Sequence, residues 1–187
     1  MNNFVLKELP PDQDVETKAI LKQAASAHRF LAELKGVSKT IPNQNILIYT
    51  LPLMEAKDSS AVENIITTHD DLYKEELFGD FISSPAAKEV QKYSFALLKG
   101  YEMIRNSDLL HNRIILEVQA IIENSRAGFR TLPGTELKND ATGETVYIPP
   151  QKHDDVLNLM TNLEKFVNDD SFAPFDPLVK MAIMHYQ

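Results

Sequence analysis

The sequence contains no cysteine, which excludes disulfides and thiolate metal centres and fits a reducing compartment. Positive charge is scarce: 19 Lys and Arg against 27 Asp and Glu leave a formal net charge of −8. The broad cationic footprint of a nucleic-acid binder is missing, so no direct nucleic-acid partner is expected. No stretch approaches the roughly 20 apolar residues of a membrane-spanning helix, and no membrane partner is expected either. The opening residues, Met1-Asn2-Asn3-Phe4-Val5-Leu6-Lys7-Glu8-Leu9-Pro10, lack the basic start and unbroken apolar run of a signal peptide. A cytoplasmic location is therefore the expectation. What is present, 187 residues with 43% hydrophobic and 25% charged, suffices for one core, or one domain with a small appendage.

Helical periodicity dominates the chain. After Pro10-Pro11, Asp12 or Asp14 can cap a helix whose apolar positions Ile20, Ala24, Ala27, Leu31 and Leu34 share a face, with Gly36 as its stop. His28 lies off that stripe and should meet water. Ile46, Leu47, Leu51, Leu53 and Met54 form a second apolar block, and Pro52 within it predicts two short helices in place of one. Asp70 to Glu76 is a charge run that reads as a solvated face, since neighbouring aspartates on a helix do not converge on a metal. Ser84-Pro85 starts a helix carrying Val90, Tyr93, Leu97, Leu98 and Tyr101 to about Arg105. Ser107 or Asp108 caps the next, which is apolar nearly all round from Leu110 to Ile122 and should occupy the middle of a bundle.

From Gly128 to Pro150 the pattern changes to turn chemistry: Pro133-Gly134, then Asn139-Asp140-Ala141-Thr142-Gly143, then the β-prone run Thr145-Val146-Tyr147-Ile148 closed by Pro149-Pro150. A β-hairpin follows. Its last strand offers an edge for an added strand, and from these residues alone a surface loop with no client is an equal alternative.

The residues with chemical interest lie between Asp58 and His69. Val62, Ile65, Ile66 and His69 have the spacing of an inward-facing helix stripe. Ser59 and Glu63, four apart, would stack one turn above the other and project a hydroxyl and a carboxylate together. The same residues also fit a helix start, with Asp58, Ser59 or Ser60 as N-cap and Glu63 completing a capping box.

The run Ser59-Ser60-Ala61-Val62-Glu63-Asn64 resembles the Ser/Thr-x-x-x-Glu-Gly/Asn inhibitory motif of Fic-family proteins, which transfer AMP from ATP to protein hydroxyls. Two later segments are similar to the same family in the same order. Gly128-Phe129-Arg130-Thr131, Pro133-Gly134-Thr135 and the Tyr147-Ile148-Pro149-Pro150 exit resemble its flap, the hairpin that positions the target, and the helix from Val156 to Val167 resembles the one after it. Asp176 to Gln187 is similar to the helix that leads into the signature His-Pro-Phe-x-x-Gly-Asn-Gly-Arg-x-x-Arg. That signature would begin a few residues past Gln187 and is absent from this sequence.

The resemblance implies a mainly α fold, a Fic-like helical bundle with a β-hairpin flap at about 126–150. It implies an N-terminal region (1–84) with the inhibitory helix, and the first part of the core (85–187). Ser59, Glu63 and Asn64 would be the autoinhibitory residues, with Glu63 pairing a signature arginine that otherwise grips the ATP γ-phosphate. Thr145, Val146, Tyr147 and Ile148 would form the target-binding flap. ATP and Mg²⁺ are implied for the intact protein, with a hydroxyl-bearing protein as target and a homodimer as a possible assembly. No catalytic residue and no metal ligand is assigned here, His185 included, and this polypeptide alone is expected not to transfer AMP. A further expectation is an apolar surface where the segment beyond Gln187 would pack. Two other readings remain open: a non-catalytic helical interaction module, in which Glu63 only caps a helix, and an inhibitory fragment acting in trans.

Overall fold

A computed structural model describes residues 5–43, 45–62, 64–68, 70, 72 and 85–186. Among the described residues the protein is mainly helical with one small antiparallel sheet. Among the described residues the order is α1 (Lys18–Ser38), α2 (Asn45–Val62), α3 (Pro85–Ser107), α4 (Asn112–Glu123), β1 (Leu137–Lys138), β2 (Thr145–Tyr147), α5 (His153–Asn168) and α6 (Pro177–Tyr186). No helix of the described residues is long and apolar enough to cross a membrane. Backbone contacts divide the chain into two compact units. One comprises Met1–Lys35, Leu110–Asn112 and Phe129–Gln187, the other Gly36–Leu109 and Arg113–Gly128.

The start of α1 is set by Thr17, not by Asp12 or Asp14. The Thr17 carbonyl accepts the Leu21 N–H at 2.9 Å and its hydroxyl accepts the Ile20 N–H at 3.4 Å. Asp14 instead turns the chain before the helix, its Oδ1 accepting the Glu16 N–H at 3.2 Å. Gly36 does not stop α1, which runs on to Ser38, since an interior glycine costs only about 0.5–1 kcal/mol. His28 is exposed, as expected for a residue off the stripe, and its Nε2 also lies 2.9 Å from Asp176 Oδ2.

Pro52 sits inside a single helix, α2, against the expectation of two. A proline there removes one helical hydrogen bond and costs about 3 kcal/mol, so burial must offset it. Ala56, fully buried one turn on, forms a core cluster with Leu72, Ala87 and Val90, and Leu53 and Tyr93 pack against it. Helical stability that comes from packing overrides local propensity in this way. In the same unit α3 runs close beside α4: a Cβ on Gly100 would lie 3.0 Å from Val118 Cγ2. Lys92 Nζ donates to the Ile122 carbonyl at 3.2 Å near the C-terminus of α4, where a cation is favoured. Of α4 only Ile114 is fully buried, and the remaining apolar residues are half-buried, so this helix is not the innermost one.

Three helices end on a side chain that tolerates left-handed backbone. Asn64, Asp108 and Asn124 have φ of 64°, 56° and 51° and follow α2, α3 and α4. Short polar side chains enter that region more readily than others. Asp108, taken from sequence as an N-cap of the next helix, in fact closes the previous one, its N–H donating to the Ile104 carbonyl at 2.7 Å. The cap of α4 comes from α5 instead. Glu164 Oε2 accepts the Asn112 N–H at 2.6 Å while Oε1 lies 3.2 Å from His111 Nδ1. The Asn112 N–H, opposed by desolvation and helped by His111, holds the Glu164 carboxyl below its ordinary range.

The other unit is organised around α5. Phe166, fully buried, clusters with Leu9 and Ala173, and Leu163, Val167, Phe172, Phe175 and Ile183 pack around them. Two asparagines on α5 grip passing backbone with both ends of their amides. Asn162 accepts from the Leu9 N–H (2.7 Å) and donates to its carbonyl (2.8 Å), and Asn168 does the same to Leu110 (2.9 Å each). Asp176 caps α6 by accepting the Leu178 N–H at 2.9 Å, with Pro177 at the first helical position. Lys180, 7% exposed, donates to Asp170 at 2.7 Å with its ammonium 5.9 Å from the centre of the Phe166 ring.

Candidate functional site

The Ser59 to Asn64 run lies at the end of a helix, not at the start of one. Ser59 and Ser60 belong to the last turn of α2, so neither is an N-cap. Ser60 is buried, and Ser59 donates its hydroxyl to Glu55 Oε1 at 2.8 Å, one turn back. The helix closes by a two-bond pattern: Ile65 N–H to the Ser60 carbonyl at 2.9 Å and Asn64 N–H to the Ala61 carbonyl at 3.1 Å. These six-to-one and five-to-two bonds form a Schellman motif with Asn64 in its left-handed position. Glu63 and His69 lie outside the described residues. The continuous helical stripe expected through Val62, Ile65 and Ile66 is not formed, because 65–68 are not helical. Val62 and Ile66 are accordingly exposed, by 83% and 74%.

The physical demand at the sixth motif position is thus visible. A helix that must stop directly after the motif needs a residue stable at positive φ, and glycine and asparagine meet that need. Thr67, three residues on, is buried.

The hairpin forms where the turn chemistry placed it. Leu137 pairs with Tyr147 and Lys138 with Thr145, with an irregularity between them. Asn139 shapes the connection: its N–H donates to the Glu144 carbonyl at 2.9 Å, and its Oδ1 accepts the Ala141 and Thr142 N–H groups at 2.9 and 3.2 Å. Gly143, at φ 70°, supplies the left-handed step that lets the chain return. Thr145 donates its hydroxyl to Glu136 Oε2 and Lys138 Nζ reaches Glu136 Oε1, both at 2.7 Å. Lys138 first, then Thr145, holds the Glu136 carboxyl below its ordinary range. Along Thr145 to Ile148, Val146 and Ile148 are exposed by 62% and 59%, and Thr145 and Tyr147 are half-buried.

Below the two ladder pairs, side chains that periodicity could not reveal join the legs of the hairpin. Gln151 Oε1 accepts the Gly134 N–H at 2.7 Å, and its Nε2 donates to the Thr135 and Pro149 carbonyls at 3.0 and 2.6 Å. Arg130 Nη2 donates to the Pro150 carbonyl, and His153 Nδ1 donates to the Arg130 carbonyl at 2.9 Å. The one sequence cue was Gln151 following two prolines that cannot donate.

The same unit holds an apolar groove of about 1090 Å³ between the N-terminal leader, α1 and α6, with Leu9, Ile20, Ala24, Val179 and Ile183 on its walls. The open apolar surface in this unit therefore involves α6. Among the described residues, none of the hairpin lines it. A smaller one of about 380 Å³ lies between Leu6 and Glu8 of the leader, Tyr147 to Pro150, and Asp155 and Leu159 of α5. Among the described residues, no three His, Asp or Glu side chains come together as cation ligands. The sequence also has no Gly-Asn-Gly turn to cradle phosphates, so the described residues do not by themselves fit ATP with Mg²⁺. Comparison with protein-family models matches residues 21–102 to the Fic/DOC family N-terminal model, a stretch that takes in most of α1, all of α2, the Ser59 to Asn64 run, and most of α3.

Proposed function

We propose that this chain is the regulatory and target-holding part of a Fic-family protein that transfers AMP from ATP to a hydroxyl side chain of another protein. Residues 1–84 carry the inhibitory region, and 85–187 the first part of the core with its flap. In this reading Glu63 holds the reaction off by pairing an arginine of the signature, which then cannot align the ATP phosphates. The pairing is charge-assisted and forked, so removing the carboxylate frees the arginine outright. ATP and Mg²⁺ would be held by the signature, and no step of the transfer is assigned to residues of this chain.

The observation that carries the reading is the closure of α2 at Asn64. It gives a structural reason for the asparagine of Ser-x-x-x-Glu-Asn, inside the stretch that matches the Fic/DOC N-terminal model. The hairpin supports the second half: β2 and the residue after it present Val146 and Ile148 outward, in the manner of a strand that accepts another strand.

The experiment uses the protein that joins this chain to the signature, incubated with ATP labelled at the α- or the γ-phosphate. Label from the α position should become covalently bound to protein, with the mass gain of one AMP unit, and label from the γ position should not. Bound γ label would make the protein a kinase and end the proposal. Label from neither position, in a variant freed of Glu63, would favour the non-catalytic module.

A further inference from the structure

A ladder of two pairs does not hold a hairpin in a fixed direction, because an isolated pair of short strands is marginal in water. The outgoing leg also runs into Pro149-Pro150, which have no N–H to extend the ladder. What fixes the legs is Gln151. Its amide oxygen accepts one bond from Gly134 and its nitrogen donates two, to Thr135 and Pro149, so it ties both legs together. Backbone N–H can only donate and carbonyls only accept, so these partners also fix which end of the amide is oxygen. Arg130 to Pro150 and His153 to Arg130 continue the clasp down to the first turn of α5.

We propose that Gln151 is a positioning residue for the protein target: by clasping the legs of the hairpin it sets the course of β2, and with it the line along which an added strand lies. This rests on the reading of the hairpin as the target-holding flap. Gln151 touches neither target nor nucleotide in this scheme and acts through Thr145 to Ile148. Gln151→Glu is the informative variant. It is isosteric and keeps the acceptor for Gly134, but turns a carboxylate oxygen toward two carbonyls that need a donor.

Amide hydrogen exchange on the 187-residue chain reads the clasp directly. Gln151→Glu is expected to speed exchange at Gly134, Asn139 and Gly143 by about ten-fold, while amides inside α5 keep their rates. Unchanged rates at Asn139 and Gly143 overturn the proposal. So does an equal rise throughout α5, which marks general loosening. The effect on the target is read in the intact protein carrying Glu63→Gly, with α-labelled ATP as donor and the 187-residue chain as acceptor. There Gln151→Glu is expected to raise KM for the acceptor about ten-fold, with kcat and KM for ATP held within about two-fold. A fall in kcat at unchanged KM overturns it. Val146→Asp separates the two levels. If it raises the acceptor KM and Gln151→Glu does not, the clasp alone is wrong. If neither changes KM, or no acceptor is labelled, the flap reading fails and this proposal with it.

Discussion

Asn64 occupies a backbone conformation with φ 64°, and that single dihedral constrains the motif around it. Left-handed backbone costs an ordinary L-residue about 1–2 kcal/mol. Asn64→Val should therefore lower the unfolding free energy by about that amount, and Asn64→Gly should stay within about 0.5 kcal/mol of wild type, both read by urea unfolding. Glu164 gives a pH prediction. Its folded pKa is lowered, so its contribution is present above the unfolded carboxylate value of about 4.3 and is lost as pH falls through the folded one. Glu164→Gln keeps an oxygen for the Asn112 N–H but removes the charge, so the fall in urea midpoint between neutral and acidic pH should be shallower than in wild type. At this scale the sequence was partly readable. Ser59, Glu63 and Asn64 stood out as a pattern, and so did Thr145 to Ile148. Gln151 did not, nor did the bonds that Asn162 and Glu164 make, because each acts on backbone far along the chain or across a turn, and no local spacing encodes that.

Helix boundaries were less legible than helix existence. The stretches 85–107 and 153–168 were expected nearly as found, since proline after a cap and a long apolar stripe are local signals. The stop of α2 was misplaced, where Asn64 does the work of glycine, while α3 and α4, expected to reach about Arg105 and Ile122, end at Ser107 and Glu123 and are followed by Asp108 and Asn124. Pro52 and Gly36 misled in the opposite sense, suggesting breaks inside helices that continue. Both now yield tests. Nothing lies within 4 Å of a Cβ added at Gly36, so Gly36→Ala should stabilise the protein by about 0.5–1 kcal/mol in thermal or urea unfolding. Pro52→Ala restores a backbone donor inside α2 and should add about 1–3 kcal/mol; a loss of stability would mean that the proline ring itself is needed for packing.

At the scale of the molecule, the mainly helical class and the single hairpin followed from periodicity and turn chemistry, whereas the interleaved chain path of the two compact units did not. That path joins 1–35 to 129–187 through contacts such as Asn162 with Leu9, separated by 153 positions, and sequence order alone suggests no such pairing. Each unit has its own core, Phe166 with Leu9 and Ala173 in one and Ala56, Leu72, Ala87 and Val90 in the other. Phe166→Ala should cost about 3–5 kcal/mol, with loss of amide protection first in α5 and α6. The central claim, however, concerns Glu63 and the arginine it would occupy. Losing a forked, charge-assisted pair worth about 1.5–3 kcal/mol corresponds to a rate increase of about ten- to a hundred-fold. The decisive measurement is the initial rate of AMP incorporation from α-labelled ATP by the intact protein, wild type against Glu63→Gly. A rise of about ten-fold or more is the result this account requires, and equal rates in the two proteins would contradict it.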